Sequence, residues 1–180
     1  MRSTNCGFTL IEAMIALAVV SALICAAVPA WSNAREATCS GAAQAALVES
    51  VLGAVRHSVL TGGDVVLCPG DEAGGCRSSI DWSQGWIVYA DIDGDRTRDG
   101  NETLLKITVS LGGKVHLRST TGRTRLVFQP NGGNAGSNVT FTLCDGRGPE
   151  QAVTLVLAND GRLHSGKPTK AAALACISPM

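Results

Sequence analysis

NCGFTLIEAMIALAVV, residues 5–20, holds one carboxylate, Glu12, near the start of an otherwise apolar run. From Phe8 to Trp31 it is the only formally charged side chain. A lone acid in a lipid-facing helix costs roughly 2.5–3.5 kcal/mol on insertion scales, so something must recover that cost. The run of 24 residues would make a helix about 36 Å long, enough to cross a bilayer. An ordinary secretory signal competes with a retained anchor: Arg2 supplies a basic end and CAAVPA, residues 25–30, imitates a cleavage site. Glu12 argues against the first, because a signal core is purely apolar. Composition leaves both open.

The chain has 180 residues, 15 basic and 15 acidic, for a formal net charge of zero. No global field therefore draws it to nucleic acid or to a membrane surface. Aromatic residues make up only 4%, and Ala, Val and Leu supply most of the hydrophobicity. One domain behind an N-terminal segment fits this length. After the apolar run, Ala37, Leu47, Val51, Val55 and Val59 recur among polar residues up to TGG at residues 61–63, which predicts an amphipathic helix ending near Thr61. Pro29 is expected to kink the junction. Beyond residue 62 the chain breaks into short β-rich runs: DVVLCPG, QGWIVYAD, ETLLKITVS, KVHLRST, TRLVFQP, NVTFTLCD and QAVTLVLAND. Gly, Asn and Asp punctuate them. At least six strands in meander order imply an antiparallel sheet with the helix covering one face, an α+β fold.

CGFTLIEAMIALAVV, residues 6–20, resembles the class III signal of type IV pilins and type II secretion pseudopilins, and VVLCPG, DWSQGWIVYADIDGD and ETLL are similar to the GspH/FimT subfamily of minor pilins. The resemblance implies cleavage after Gly7 by a prepilin peptidase and N-methylation of Phe8. It also answers the question of Glu12. In a filament the carboxylate would meet the ammonium of a neighbour's Phe8, a strong attraction in low dielectric. The organisation it implies is a leader at 1–7, a transmembrane helix at 8–31, its amphipathic continuation at 32–61 and a periplasmic β-rich domain at 62–180. The expected location is the inner membrane, single-pass, then a pilus or pseudopilus, with other pilin or pseudopilin subunits as partners. The stretch Trp82–Trp86 would belong to the sheet core rather than to a ligand cage.

Among seven cysteines, Cys6 would leave with the leader and Cys25 would lie in the membrane. In an oxidising compartment the others are expected to pair. Cys68 and Cys76 enclose a Gly-rich loop, and Cys144 with Cys176 would pin the C-terminal tail, leaving Cys39 odd. The Cys68–Cys76 spacing does not fit a zinc knuckle.

In DIDGDRTRDGNE, residues 91–102, Asp91, Asp93, Asp95, Asp99 and Glu102 fall at positions one, three, five, nine and twelve of an EF-hand-like loop able to wrap Ca²⁺. Arg96, however, stands where that loop needs glycine, and a solvated hairpin turn has the same composition. Two basic stretches lack acids: Lys114, Arg118, Arg123 and Arg125 in one, Arg162, Lys167 and Lys170 in the other. Gathered at one end of the domain, they would bind DNA phosphates without reading bases. FimT-like minor pilins that take up DNA carry a basic GRxR element near the C-terminus. Here GRLH (161–164) replaces the second arginine with His164, while GRTR (122–125) matches earlier in the chain. The alternative is a solvated basic face. His57, His116 and His164 are expected on a helix, a strand and a turn, and no motif joins a nucleophile to a base or a metal. An enzyme is not expected.

Overall fold

The structure, a computed structural model, describes Gly7 and residues 9–178. The first residues of the leader and Phe8 lie outside the described residues. Helix α1 (Leu10–Thr61) holds 52 residues and runs through Pro29 without a break. The chain divides into two compact units after Arg35, so the second half of α1 belongs to the same unit as the strands. The N-terminal unit is nearly bare helix. Leu10, Ile11, Met14, Leu17, Leu23 and Trp31 are all exposed, and the helix contains an 18-residue window of mean hydropathy 2.5, none of it buried.

In the C-terminal unit α1 ends where Gly62 turns to φ 73°. Two antiparallel sheets follow. The first orders β2 (Gly75–Cys76), β1 (Asp64–Asp71), β3 (Trp86–Asp91) and β4 (Leu104–Thr108), with β6 (Leu126–Phe128) also pairing β1. The second orders β5 (His116–Ser119), β7 (Val139–Cys144), β8 (Val153–Leu157) and β9 (Leu163–Gly166). The expected meander is therefore two sheets, because β6 returns to pair Val65–Leu67 with Leu126–Phe128. A short helix α2 (Lys170–Ile177), which the residue pattern did not suggest, closes the chain with Thr169 as N-cap.

The core lies between α1 and both sheets: Leu47, Val51 and Ala54 meet Val65, Leu67, Trp86, Phe128, Phe141 and Leu157. Strand alternation sends Val66 and Cys68 to the opposite face of the first sheet, with Ile87, Tyr89 and Val127. The strand β1 is thus buried on both faces.

The helical stripe differs from the one expected. The buried positions are Ser40, Ala43, Leu47, Ser50, Val51, Ala54 and Ser58. Val59 is 52% exposed, and Ala37 and Val55 are half-buried. A spacing of four drifts about 40° per step around a helix of 3.6 residues per turn, so it leaves the buried face within a few turns. The true stripe alternates three and four and passes through serines. Each serine has a partner. Ser50 Oγ donates to the Ala46 carbonyl at 2.7 Å and accepts the Trp86 indole N–H at 3.0 Å. The Ser58 hydroxyl faces the carbonyls of Gly63 and Phe128 at 2.7 and 3.1 Å.

Candidate functional site

Helix α1 opens at Leu10, where Thr9 Oγ1 accepts the Glu12 N–H at 3.4 Å and the Thr9 carbonyl accepts that of Ala13 at 3.2 Å. Glu12 occupies the first turn, where an acid is favoured by the unsatisfied N–H groups and the helix dipole. It is exposed, as is Gly7, which has no atom near the position a side chain would take. A surface this apolar, with one acid at its head, needs lipid or other helices against it.

The segment DWSQGW joins the two sheets. Trp82 and Trp86 are fully buried. Trp82 stacks edge-on against Phe141 with centroids 5.1 Å apart, and its backbone N–H donates to the Leu117 carbonyl at 2.8 Å. Ser83 Oγ accepts the Leu117 N–H at 3.0 Å. Gly85 takes φ 102° with the Thr108 carbonyl close against it, so no side chain fits there. The buried indoles are framework and offer no cage to a ligand.

Cys68 is joined to Cys76 and Cys144 to Cys176, with Cα atoms 5.5 and 6.2 Å apart. Cys25 and Cys39 are free. The second bond fixes α2 to β7, and Arg118 completes the attachment by donating to the Ala175 and Ser178 carbonyls, both at 2.6 Å. A cation at those terminal carbonyls also suits the helix dipole. Next to Cys144, Asp145 takes a forked pair from Arg147 at 2.9 and 2.7 Å. Burial works to raise the Asp145 pKa, but the hydrogen bonds and charge of Arg147, with the Ser40 hydroxyl, outweigh it and hold the carboxyl below its usual range.

The basic residues divide rather than converge. Arg123 and Arg125 line a cavity of about 330 Å³ with Arg96, a residue the motif had not singled out for this role. Two nitrogens of the half-buried Arg123 guanidinium, Nε and Nη2, are buried without a hydrogen-bond partner. Arg125 donates to the Arg96 carbonyl at 2.7 Å. Lys167 and Lys170 line a different cavity beside Glu150 and α2, where Lys167 donates to the Glu150 carbonyl at 3.1 Å. Arg162 pairs with Asp160 at 2.7 Å on the open surface. His164 lies on β9 rather than in a turn, while His57 is on α1 and His116 on β5.

In the acidic loop, Asp91, Asp93 and Asp95 bring carboxylate oxygens within 4.8 Å of one another. Asp99 and Glu102 do not join them. Glu102 is buried, and its two oxygens accept the N–H groups of Ile92 and Asp99 at 2.9 and 3.0 Å, tying the ends of the loop. Arg96, at the position expected to need glycine, takes φ 63°. Burial, then the charges of Asp91 and Glu102, push the Tyr89 hydroxyl pKa well above its ordinary value.

An exposed apolar helix headed by a single acid, and a two-sheet domain packed on the later turns of the same helix, fit a membrane-anchored pilin-like subunit. Comparison with known proteins agrees. The model of the prokaryotic N-terminal methylation motif matches residues 2–28, and that of the type II transport protein GspH matches residues 30–161, well over half of the chain. The chain belongs to the GspH family, within the type IV minor pilins and pseudopilins. Its fold is similar to that of the type IV minor pilin FimU of Pseudomonas aeruginosa PAO1. One crystal form aligns over 77% of this chain and 92% of that one, at 12% identity and a TM-score of 0.55. A second aligns over 74% and 93%, at 13% identity and a TM-score of 0.52. No curated protein matches the sequence.

Proposed function

We propose that the chain is a minor pilin that is cut after Gly7 by a prepilin peptidase and methylated on Phe8. It is held in the inner membrane by residues 8–31 and then joins or primes a pilus filament near its tip. The observation that carries this reading is the bare apolar stretch of α1 with Glu12 alone in its first turn. In the filament, neighbouring helices replace lipid around that stretch, and the Phe8 ammonium of the next subunit answers the Glu12 carboxylate. Both charges are then compensated in a medium where neither tolerates isolation. The role is structural and non-enzymatic. Its chemistry is packing and one ion pair, with the β-rich domain facing the periplasm or the exterior.

Mass spectrometry of the mature chain tests the first step: an N-terminal methyl-Phe8 is expected, and a terminus near Ala30 would refute the reading. Glu12→Ala should leave cleavage intact and cut recovery in sheared filaments at least tenfold, about 1.4 kcal/mol per subunit and well within the cost of a stranded charge. Normal recovery would refute the ion pair.

A second reading rests on the cavity lined by Arg96, Arg123 and Arg125, whose three positive charges suit phosphate oxygens. It makes the subunit a DNA-binding minor pilin for uptake in transformation. The division of Lys167 and Lys170 into another cavity narrows any such surface to the arginines. Retardation of a duplex by the full-length chain, lost in Arg123→Ala and steeply weakened by salt, would support it. Equal retardation by that variant would not. A third, that the subunit serves a type II secretion pseudopilus, is favoured by the GspH match over residues 30–161. Secretion lost with pili intact, on deletion of this chain, would select it.

A further inference from the structure

The loop after β3 holds three carboxylates closer than their charges favour. One oxygen of each of Asp91, Asp93 and Asp95 lies within 4.8 Å of the others, and like charges at that separation repel. Each aspartate spends its Oδ1 on a backbone N–H: Gly94 to Asp91 at 3.0 Å, Asp95 to Asp93 at 3.1 Å and Thr97 to Asp95 at 2.6 Å. These bonds shape the loop and leave the other oxygens to be answered. Asp93 and Asp95 are exposed and can use water. Asp91 cannot. It is 4% exposed, and its Oδ2 is sealed from solvent with no donor facing it. An anionic oxygen removed from water without a partner is among the most unfavourable arrangements in a protein.

The nearby cations do not supply that partner. Arg125 directs Nη1 to the Arg96 carbonyl, and Arg98 directs Nη1 to the Glu72 carbonyl at 2.8 Å. Among the described residues the ion pairs are Lys106–Glu49, Arg147–Asp145 and Arg162–Asp160, none of which involves this loop.

We propose that Asp91, Asp93 and Asp95 bind a calcium ion, with Asp91 Oδ2 as its buried ligand and water completing the shell. The donor set is all oxygen, which suits hard cations and excludes those that need thiolate or imidazole. An irregular loop with two exposed carboxylates tolerates the variable six- to eight-fold geometry of Ca²⁺ better than the strict octahedron of Mg²⁺. The structure also shortens the ligand set that the spacing had suggested. Glu102 already uses both oxygens as the clamp between Ile92 and Asp99, so it positions the loop, and Asp99 stands outside the triad. Three carboxylates, two of them open to water, match the weak sites of extracellular modules, with Kd about 10⁻⁴–10⁻³ M.

The test is calorimetric titration of CaCl₂ into the full-length chain in detergent micelles, after chelator treatment. One site in that affinity range is expected. Asp93→Asn and Asp95→Asn should each raise Kd roughly tenfold or more, while Asp99→Asn should stay within about twofold. Asparagine keeps the Oδ1 acceptor that shapes the loop, so without calcium the thermal midpoint of Asp93→Asn should equal or exceed that of the unaltered chain, one repulsive charge being gone. Saturating CaCl₂ should raise the midpoint of the unaltered chain by a few degrees and that of Asp93→Asn hardly at all. No saturable heat up to about 10 mM, ten times the weak end of that range, would overturn the site. So would an Asp93→Asn chain that binds as well as the unaltered one, or an Asp99→Asn chain that loses as much.

Discussion

Replacing Ser50 by alanine probes the contact between α1 and the first sheet at its most enclosed point. Trp86 is fully buried and Ser50 is 1% exposed, and the indole N–H has the serine oxygen as its acceptor at 3.0 Å. Ser50→Ala removes that acceptor and strands the N–H, which costs about 1–3 kcal/mol when water cannot enter. Alanine is the better helix former by roughly 0.5 kcal/mol, and this offsets part of the loss. The net destabilisation is therefore about 1–2 kcal/mol, or a fall of roughly 2–8 °C in the thermal midpoint of a chain this size. Thermal unfolding of the full-length chain in detergent, followed by near-ultraviolet circular dichroism, reads it directly. Trp86→Phe removes the donor instead, and the hydroxyl keeps its bond to the Ala46 carbonyl. In the double variant the two losses should fall short of additivity by about 1 kcal/mol, the signature of a shared hydrogen bond. A midpoint shift of Ser50→Ala below about 1 °C, or strict additivity, would refute the reasoning and leave the serine as filler.

Two further outcomes follow from the C-terminal attachment. Cys144→Ser with Cys176→Ser opens a bond spanning 32 residues of sequence, and the chain-entropy estimate for such a loop is about 3.7 kcal/mol; α2 should become protease-sensitive while β1–β4 stay protected, and a protected α2 would show that Arg118 and packing suffice without the bond. The Asp145 carboxyl is held below its unfolded value of 3.8, so its contribution is present above about pH 4 and disappears as pH falls through the lowered folded value. The stability difference between the unaltered chain and Asp145→Asn should accordingly shrink from pH 6 to pH 3 in thermal scans, and a constant difference would disprove the linkage.

Much of this protein was legible along the chain because its signals are local. Glu12 stands out only against the apolar residues beside it, and the break at TGG sits where α1 ends after Thr61. The β-rich runs became strands with little change, since a pleated, buried segment is recognised by its own composition. What stayed hidden depends on partners distant in sequence. The buried stripe of α1 runs through Ser40, Ser50 and Ser58, which look polar until Trp86, Phe128 and Asp145 are placed against them. Helix α2 is eight residues long and gains its hold from Cys144 and Arg118, both on strands far earlier in the chain.

The candidate sites divide in the same way. Residue types and spacing alone determined that one carboxylate enters the apolar helix, that five acids crowd one loop and that the basic residues come in two stretches. Only the tertiary structure decided which of them act together. It turned Glu102 inward to close the loop and left Asp91, Asp93 and Asp95 as the cluster, because a buried carboxylate must take the backbone N–H groups within its reach. It also set Arg123 beside Arg96 and sent Lys167 to another cavity, because those residues sit in loops, before β6, after β3 and after β9, whose meeting no sequence interval encodes.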